Sequence, residues 1–144
     1  MRVEDILKRK GTTVITIHTY VPVTGAIEIL HSKAIGALPV LDDRSRLVGI
    51  VTERDIIDSF AEHGERMFSL HVEDIMTPHV FTCKPEHLIG DIMARMTHHR
   101  VRHLPVVEDD HLRGIISIGD VVKYRLEEVK TEAGVLRDLY ISSH

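Results

Sequence analysis

Apolar and polar positions follow two different rhythms along this chain, and each rhythm occurs twice. Val23, Ala26, Ile27 and Leu30 are spaced i, i+3, i+4, i+7, and so are Ile89, Ile92, Met93 and Met96. That spacing gathers each set on one face of a helix, so an amphipathic helix is expected at both places. Downstream of each, short apolar runs at 38–41 and 47–51 flank the polar turn Asp42-Asp43-Arg44-Ser45, and runs at 104–107 and 112–116 flank Glu108-Asp109-Asp110. Apolar runs around a polar turn read as the two strands of a hairpin. After each hairpin, Thr52-x-x-Asp55 or Ser117-x-x-Asp120 opens a further helix, carrying Ile56, Ile57 and Phe60 in the first case and Val121, Val122 and Leu126 in the second.

The chain is therefore one unit written twice. Residues 37–55 read Ala-Leu-Pro-Val-Leu-Asp-Asp-Arg-Ser-Arg-Leu-Val-Gly-Ile-Val-Thr-Glu-Arg-Asp. Residues 103–120 read His-Leu-Pro-Val-Val-Glu-Asp-Asp-His-Leu-Arg-Gly-Ile-Ile-Ser-Ile-Gly-Asp, with a single deletion in the turn. Upstream, 14–17 pairs with 80–83 as a short strand, and 3–7 pairs with 72–76 as a helical lead-in. The expected fold is a mixed α/β (α+β) tandem repeat, each copy running strand, helix, strand, strand, helix. The first repeat is placed at 1–64, a linker at 65–71, the second repeat at 72–130 and a helical extension at 131–144. The extension, with Val135, Leu136 and Leu139 as apolar positions, reads as a continuation of the last helix broken near Gly134 and able to pack on a partner chain.

Composition narrows the class. A chain of 144 residues, 43% apolar and 28% charged, suits one soluble folded unit without room for a separate catalytic domain. The start, Met-Arg-Val-Glu-Asp-Ile-Leu-Lys-Arg-Lys, fits neither a secretory signal nor a membrane anchor. The single Cys83 cannot close an internal disulfide, and a reducing, cytoplasmic setting is expected. A net charge of -4 argues against broad nucleic-acid binding, while leaving room for a local basic patch that holds a small anion. There is no Gly-x-Ser-x-Gly, Walker loop or Gly-x-Gly-x-x-Gly, so no enzyme chemistry is expected.

Two readings of the Thr52-x-x-Asp55 and Ser117-x-x-Asp120 motifs stand side by side. Each is a helix capping box, and each also opens a helix N-terminus whose amides and partial positive charge suit a phosphate. The cations around them are unequal between copies. Arg100, Arg102 and His103 precede the second Leu-Pro-Val segment where the first repeat has Ala34, Gly36 and Ala37; Arg54 lies inside the first motif where the second has Gly119. Arginine forks match phosphate oxygens, although a solvated surface role fits them equally. Eleven histidines invite a metal, but His98, His99 and His103 straddle a helix-to-strand change beside two arginines, so no metal site is expected.

On the quoted Leu-Pro-Val-Leu-Asp and Gly-Ile-Val-Thr-Glu-Arg-Asp signatures, with Leu-Pro-Val-Val-Glu and Gly-Ile-Ile-Ser-Ile-Gly-Asp in the second copy, the sequence resembles a stand-alone CBS domain pair, or Bateman module, over nearly its whole length. The resemblance implies pseudo-twofold symmetry with two clefts that take an adenine nucleotide: AMP, ATP or NAD(H), with S-adenosylmethionine ranked lower. It implies that Thr52 and Ser117 give hydroxyls to phosphate and that Asp55 and Asp120 accept from ribose. It also implies that Thr16 and Thr82 reach the cleft edges and that Ile17 and Val51 supply apolar walls for adenine. It extends the binding set to Gly36, Ala37, Leu38, Pro39 and Arg54 in the first repeat, and to Arg100, Arg102, His103, Leu104, Pro105 and Gly119 in the second. No catalytic cofactor is implied. The function expected is that of a regulatory energy or redox sensor, homodimeric through helix faces to which Ile56, Ile57, Phe60, Val121 and Val122 contribute unless they face the core. The alternative is an interaction or oligomerisation scaffold of the same fold without a ligand.

Overall fold

The computed structural model describes residues 1–143. Its elements are α1 (Val3–Lys10), β1 (Ile17–His18), α2 (Val23–Ser32), β2 (Ala37–Leu41), β3 (Leu47–Thr52), α3 (Glu53–His63), a 3₁₀ helix (Gly64–Ser69), α4 (Val72–Ile75), α5 (Ile89–His99), β4 (His103–Glu108), β5 (His111–Ser117) and α6 (Ile118–Ser142). Both amphipathic helices occur where the spacing places them, burying Val23, Ala26 and Leu30 on α2 and Ile89, Ile92 and Met96 on α5.

The chain folds as two compact units that are not contiguous in sequence. One, here the α2 unit, comprises Thr13–Phe81 with Asp109–Leu112; the other, the α5 unit, comprises Met1–Thr12, Thr82–Glu108 and the chain from Arg113 onward. Each unit takes its lead-in helix from the opposite repeat. In the α2 unit, Val72 of α4 is fully buried with Ile17, Ala26, Leu30, Leu38, Val40 and Val51. In the α5 unit, Val3, Ile6 and Leu7 of α1 join Ile89, Ile92, Met96, Leu104, Val106, Ile116 and Val121. The main chain repeats the arrangement. Val72 N–H donates to Val21 O at 2.8 Å and Val23 N–H to Leu70 O at 3.0 Å; Val3 N–H donates to His87 O at 2.9 Å and Ile89 N–H to Met1 O at 3.1 Å.

Two glycines make room for this exchange. A β-carbon on Gly49 would lie 2.5 Å from Met76 Sδ and 3.1 Å from Thr77 O, and one on Gly114 would lie 2.6 Å from Leu7 Cδ2. Without a side chain at either position, the lead-in approaches the hairpin with no shift of Met76 or Leu7.

In the α2 unit β1 runs parallel to β2, and β2 antiparallel to β3 with Ala37 opposite Thr52. Asp42 closes that hairpin by accepting from the amides of Arg44 and Arg46, both at 2.9 Å. The β4–β5 hairpin turns on Asp109 and Asp110 with φ of 50° and 61°, both left-handed as a two-residue turn matched to strand twist requires.

Three expectations are corrected. The strand read at 14–17 is confined to Ile17–His18, and the one at 80–83 shrinks to a single parallel bridge, Cys83 to Val106. In these registers Thr16 and Thr82 fall opposite Pro39 and Pro105, which have no N–H to donate, so neither ladder extends upstream. The break near Gly134 does not occur: α6 runs continuously through it. A helical glycine costs only about 1 kcal/mol relative to alanine, and Glu132, Ala133, Leu136 and Arg137 around it are good helix formers. Residue 144 of the expected extension lies outside the described residues. The stretch read as linker contains the 3₁₀ helix, with Met67 buried. Cys83 is a core residue, and burial pushes its thiol up to about 12, far from a reactive thiolate.

Candidate functional site

Both hairpins end in the same local construction. At the end of β3, Thr52 caps α3: its Oγ1 accepts from Asp55 N–H at 3.3 Å, and Asp55 Oδ2 accepts from Thr52 N–H at 2.8 Å and Thr52 Oγ1 at 3.1 Å. At the end of β5, Ser117 Oγ accepts from Asp120 N–H at 3.1 Å while Asp120 Oδ2 accepts from Ser117 N–H at 2.9 Å. The first amide of each helix then ties back to the residue before the first strand of its hairpin. Glu53 N–H donates to Gly36 O at 3.1 Å, and Ile118 N–H donates to Arg102 O at 2.8 Å. Reciprocal caps of this kind hold a carboxylate and a helix N-terminus in fixed relation.

In the α2 unit Gly36, Ala37, Thr52, Arg54 and Asp55 thus gather at one end of the hairpin. Thr16, half-buried, immediately precedes β1. In the α5 unit Arg102, His103, Ser117, Gly119 and Asp120 gather in the same way. Thr82 is half-buried beside the Cys83 bridge, its carbonyl accepting from Arg95 Nη2 at 3.1 Å. Ile17, Leu38, Val51 and Leu104 place their side chains in the two cores, and Pro39 and Pro105 are buried.

The arginines take different positions. Arg54 is exposed and lies along α3 with its Nε 3.0 Å from Asp58 Oδ1. Arg100 is the exposed C-cap of α5 in a left-handed conformation, φ 56°, as its counterpart Ala34 is at φ 52°. Arg102 is exposed and His103 half-buried at the start of β4. Among the described residues no group of three His, Cys, Asp or Glu side chains is arranged to hold a metal ion.

Two residues that the sequence reading passed over touch the carboxylates. Thr77 Oγ1 donates to Asp55 Oδ1 at 3.0 Å. Lys10 Nζ, from the last turn of α1, donates to Asp120 Oδ2 at 2.6 Å and to Ile115 O at 3.0 Å. Burial pushes the Asp120 carboxyl up, but the Lys10 ammonium and the Ser117 amide outweigh it, and the group sits below the usual carboxylate range. The signal for either contact was the alignment of the lead-ins, which places Lys10 and Thr77 near the ends of equivalent segments. It becomes legible only when the exchange of those segments is known.

A pair of helix-capped hairpins, each closed by a lead-in from the other repeat, defines a tandem-repeat module of mixed α/β class. The chain belongs to the CBS domain family, whose profile matches residues 3–62 and again 72–127. It is similar to the CBS-domain containing protein ATU1752 from Agrobacterium tumefaciens, 41% identical with a TM-score of 0.84 over 86% of this chain and 92% of that one. It is also similar to the CBS domain pair of protein MJ0100 in complex with 5'-methylthioadenosine and S-adenosyl-L-methionine, 28% identical with a TM-score of 0.78 over 89% and 98%. Among curated relatives, the mitochondrial CBS domain-containing protein CBSX3 of Arabidopsis thaliana is 33% identical over 138 residues, covering 90% of this chain and 67% of that protein. Several other relatives are longer. The chain spans 35%, 42% and 22% of three of them, the last being an inosine-5'-monophosphate dehydrogenase of Methanocaldococcus jannaschii. No helix among the described residues is long and apolar enough to cross a membrane.

Proposed function

We propose that this CBS pair is a cytoplasmic, non-catalytic regulatory module that binds an adenosine-containing ligand, its ribose on Asp55 or Asp120 and its phosphate at the N-terminus of α3 or α6. The observation that carries this reading is the duplicated cap: in both units a fixed carboxylate stands three residues behind a hydroxyl at a helix N-terminus. A carboxylate takes both hydroxyls of a cis-diol, and the next helix amide, that of Arg54 or Gly119, is the donor positioned for a phosphate oxygen. The ligands of the MJ0100 pair share adenosine and lack phosphate, so adenosine is the common part of the proposal. AMP, ATP and NAD(H) extend it through the helix termini. Regulation follows if the ligand binds two conformations unequally, whether the signal is energy or redox state.

Thermal denaturation with adenosine, AMP, ATP, NAD, NADH and S-adenosylmethionine tests the reading. At a hundredfold excess over its dissociation constant a true ligand is expected to add about 2.7 kcal/mol of apparent stability. An unmoved midpoint with all six overturns it in favour of a ligand-free interaction scaffold.

The second part of the proposal is a homodimer. Of the five candidate contact residues, Val121 belongs to the core and Ile56 is half-buried, whereas Ile57, Phe60 and Val122 are 61%, 50% and 41% exposed. Phe60 and Phe68 form one exposed aromatic pair, their ring centroids 6.4 Å apart. Apolar helix faces of this size are covered most simply by the same face of a second copy. Light scattering at tens of micromolar is expected to give twice the chain mass, and Phe60→Asp to halve it; a monomer in the unaltered protein removes this part.

A further inference from the structure

The two carboxylates assigned to ribose are not equivalent. Asp55 meets a neutral hydroxyl, that of Thr77 at 3.0 Å. Asp120 meets an ammonium, that of Lys10 at 2.6 Å, and the pair is partly sheltered, with side-chain exposures of 38% and 23%. A hydroxyl turns aside for a ligand without leaving a charge behind. An ammonium does not.

Resting on the nucleotide reading above, we propose that Lys10 is the charge-selecting residue of the Asp120 site, where it restricts binding to adenosine compounds that bring an anionic group. Asp120 Oδ2 already holds two donors, Ser117 N–H and Lys10 Nζ. A ribose cis-diol that takes both oxygens of Asp120 displaces Lys10 from Oδ2, and the exchange separates a charged pair at the start of α6. A phosphorylated ligand supplies a new partner for the released ammonium, which swings on a flexible four-carbon stem beside a helix terminus that also favours negative charge. Adenosine supplies none and leaves the ammonium with only the Ile115 carbonyl and solvent. S-adenosylmethionine, whose carboxylate is offset by a sulfonium and an ammonium, brings no phosphate and a net positive charge, and so adds repulsion. The Asp55 site carries no such restriction, because the donor that ribose displaces there is the neutral hydroxyl of Thr77. The two sites of one chain thus differ in the ligand charge they accept, through a residue contributed by the exchanged lead-in.

Calorimetric titration of AMP and adenosine tests this in an Asp55→Asn background, which leaves the Asp120 site to be read alone. The expected result is AMP at least about tenfold tighter than adenosine, the scale of one charged hydrogen bond. Lys10→Met is expected to reduce that ratio about tenfold, by weakening AMP and tightening adenosine, and Lys10→Arg to keep most of it. In the unaltered protein the Lys10 side-chain ¹⁵N resonance is expected to shift on AMP addition, a readout that needs no Lys10 variant. An unchanged ratio in Lys10→Met, or an unmoved Lys10 resonance while AMP binds, overturns the proposal and leaves the nucleotide reading standing. AMP binding that disappears with Asp55→Asn does the same. Absence of binding by both AMP and adenosine in the unaltered protein overturns both.

Discussion

Ile6→Ala is expected to destabilise the protein by about 2–5 kcal/mol, the range for emptying a large aliphatic site in a packed core. Ile6 is fully buried, in the cluster that contains Ile89, Ile92, Met96, Leu104 and Ile116. It lies in the first repeat of the sequence, yet its neighbours belong to the second. The damage should follow space and not sequence. Hydrogen exchange of the variant is expected to lose protection first in α5, β4 and β5, while α2 and the β2–β3 hairpin keep theirs. Urea unfolding gives the magnitude. Loss of protection confined to α2 and β2 would contradict the assignment of α1 to the α5 unit.

Asp120→Asn is expected to cost about 1–3 kcal/mol near neutral pH, since it removes the charge from a partly sheltered hydrogen-bonded pair but keeps an oxygen to accept from Ser117. The effect should depend on pH in a fixed direction. In the folded chain the Asp120 carboxyl sits below its ordinary value of 3.8. As pH falls, the unfolded chain takes up the proton first. The stabilisation is therefore complete above the unfolded value, shrinks as pH drops through 3.8, and is gone once the folded group also protonates. Melting temperatures of the unaltered protein and of Asp120→Asn are expected to differ most at pH 7 and to converge below about pH 4. A gap that stays constant across this range would mean that the charge of Asp120 contributes nothing to the fold. On the proposed function, the same variant also loses the stabilisation given by a phosphorylated adenosine at its site.

Much of this was legible in the sequence, for reasons tied to particular residues. The spacing of Ile89, Ile92, Met93 and Met96 specifies a helix face, and the structure buries three of the four while leaving Met93 half-buried. Thr52 and Asp55, like Ser117 and Asp120, announce a cap by their separation alone, because a capping box is a local motif. What escaped is non-local. The pattern at Val3, Ile6 and Leu7 marks an apolar face but carries no address for it, so nothing in residues 3–7 says that their core lies beyond residue 82. Lys10 and Asp120 meet across 110 positions. No periodicity or spacing rule reaches that far. Gly134 misled for the opposite reason: a local breaker signal was outweighed by helix-forming neighbours on both sides.

The exchange of lead-in helices also sets an order on biosynthesis. Protein chains emerge from the ribosome at about 5–20 residues per second. The apolar face of α1 is made long before Ile89, Leu104 or Val121 exists to cover it, so it waits on the order of ten seconds in the open. Val72 arrives after α2 and the β2–β3 hairpin, and the apolar core of the α2 unit can close as soon as α4 is released. The nascent chain thus completes its second-encoded core segment early and its first-encoded one last. Throughout that interval Val3, Ile6 and Leu7 stay an uncovered apolar face on the growing polypeptide, since the core that buries them is not yet made.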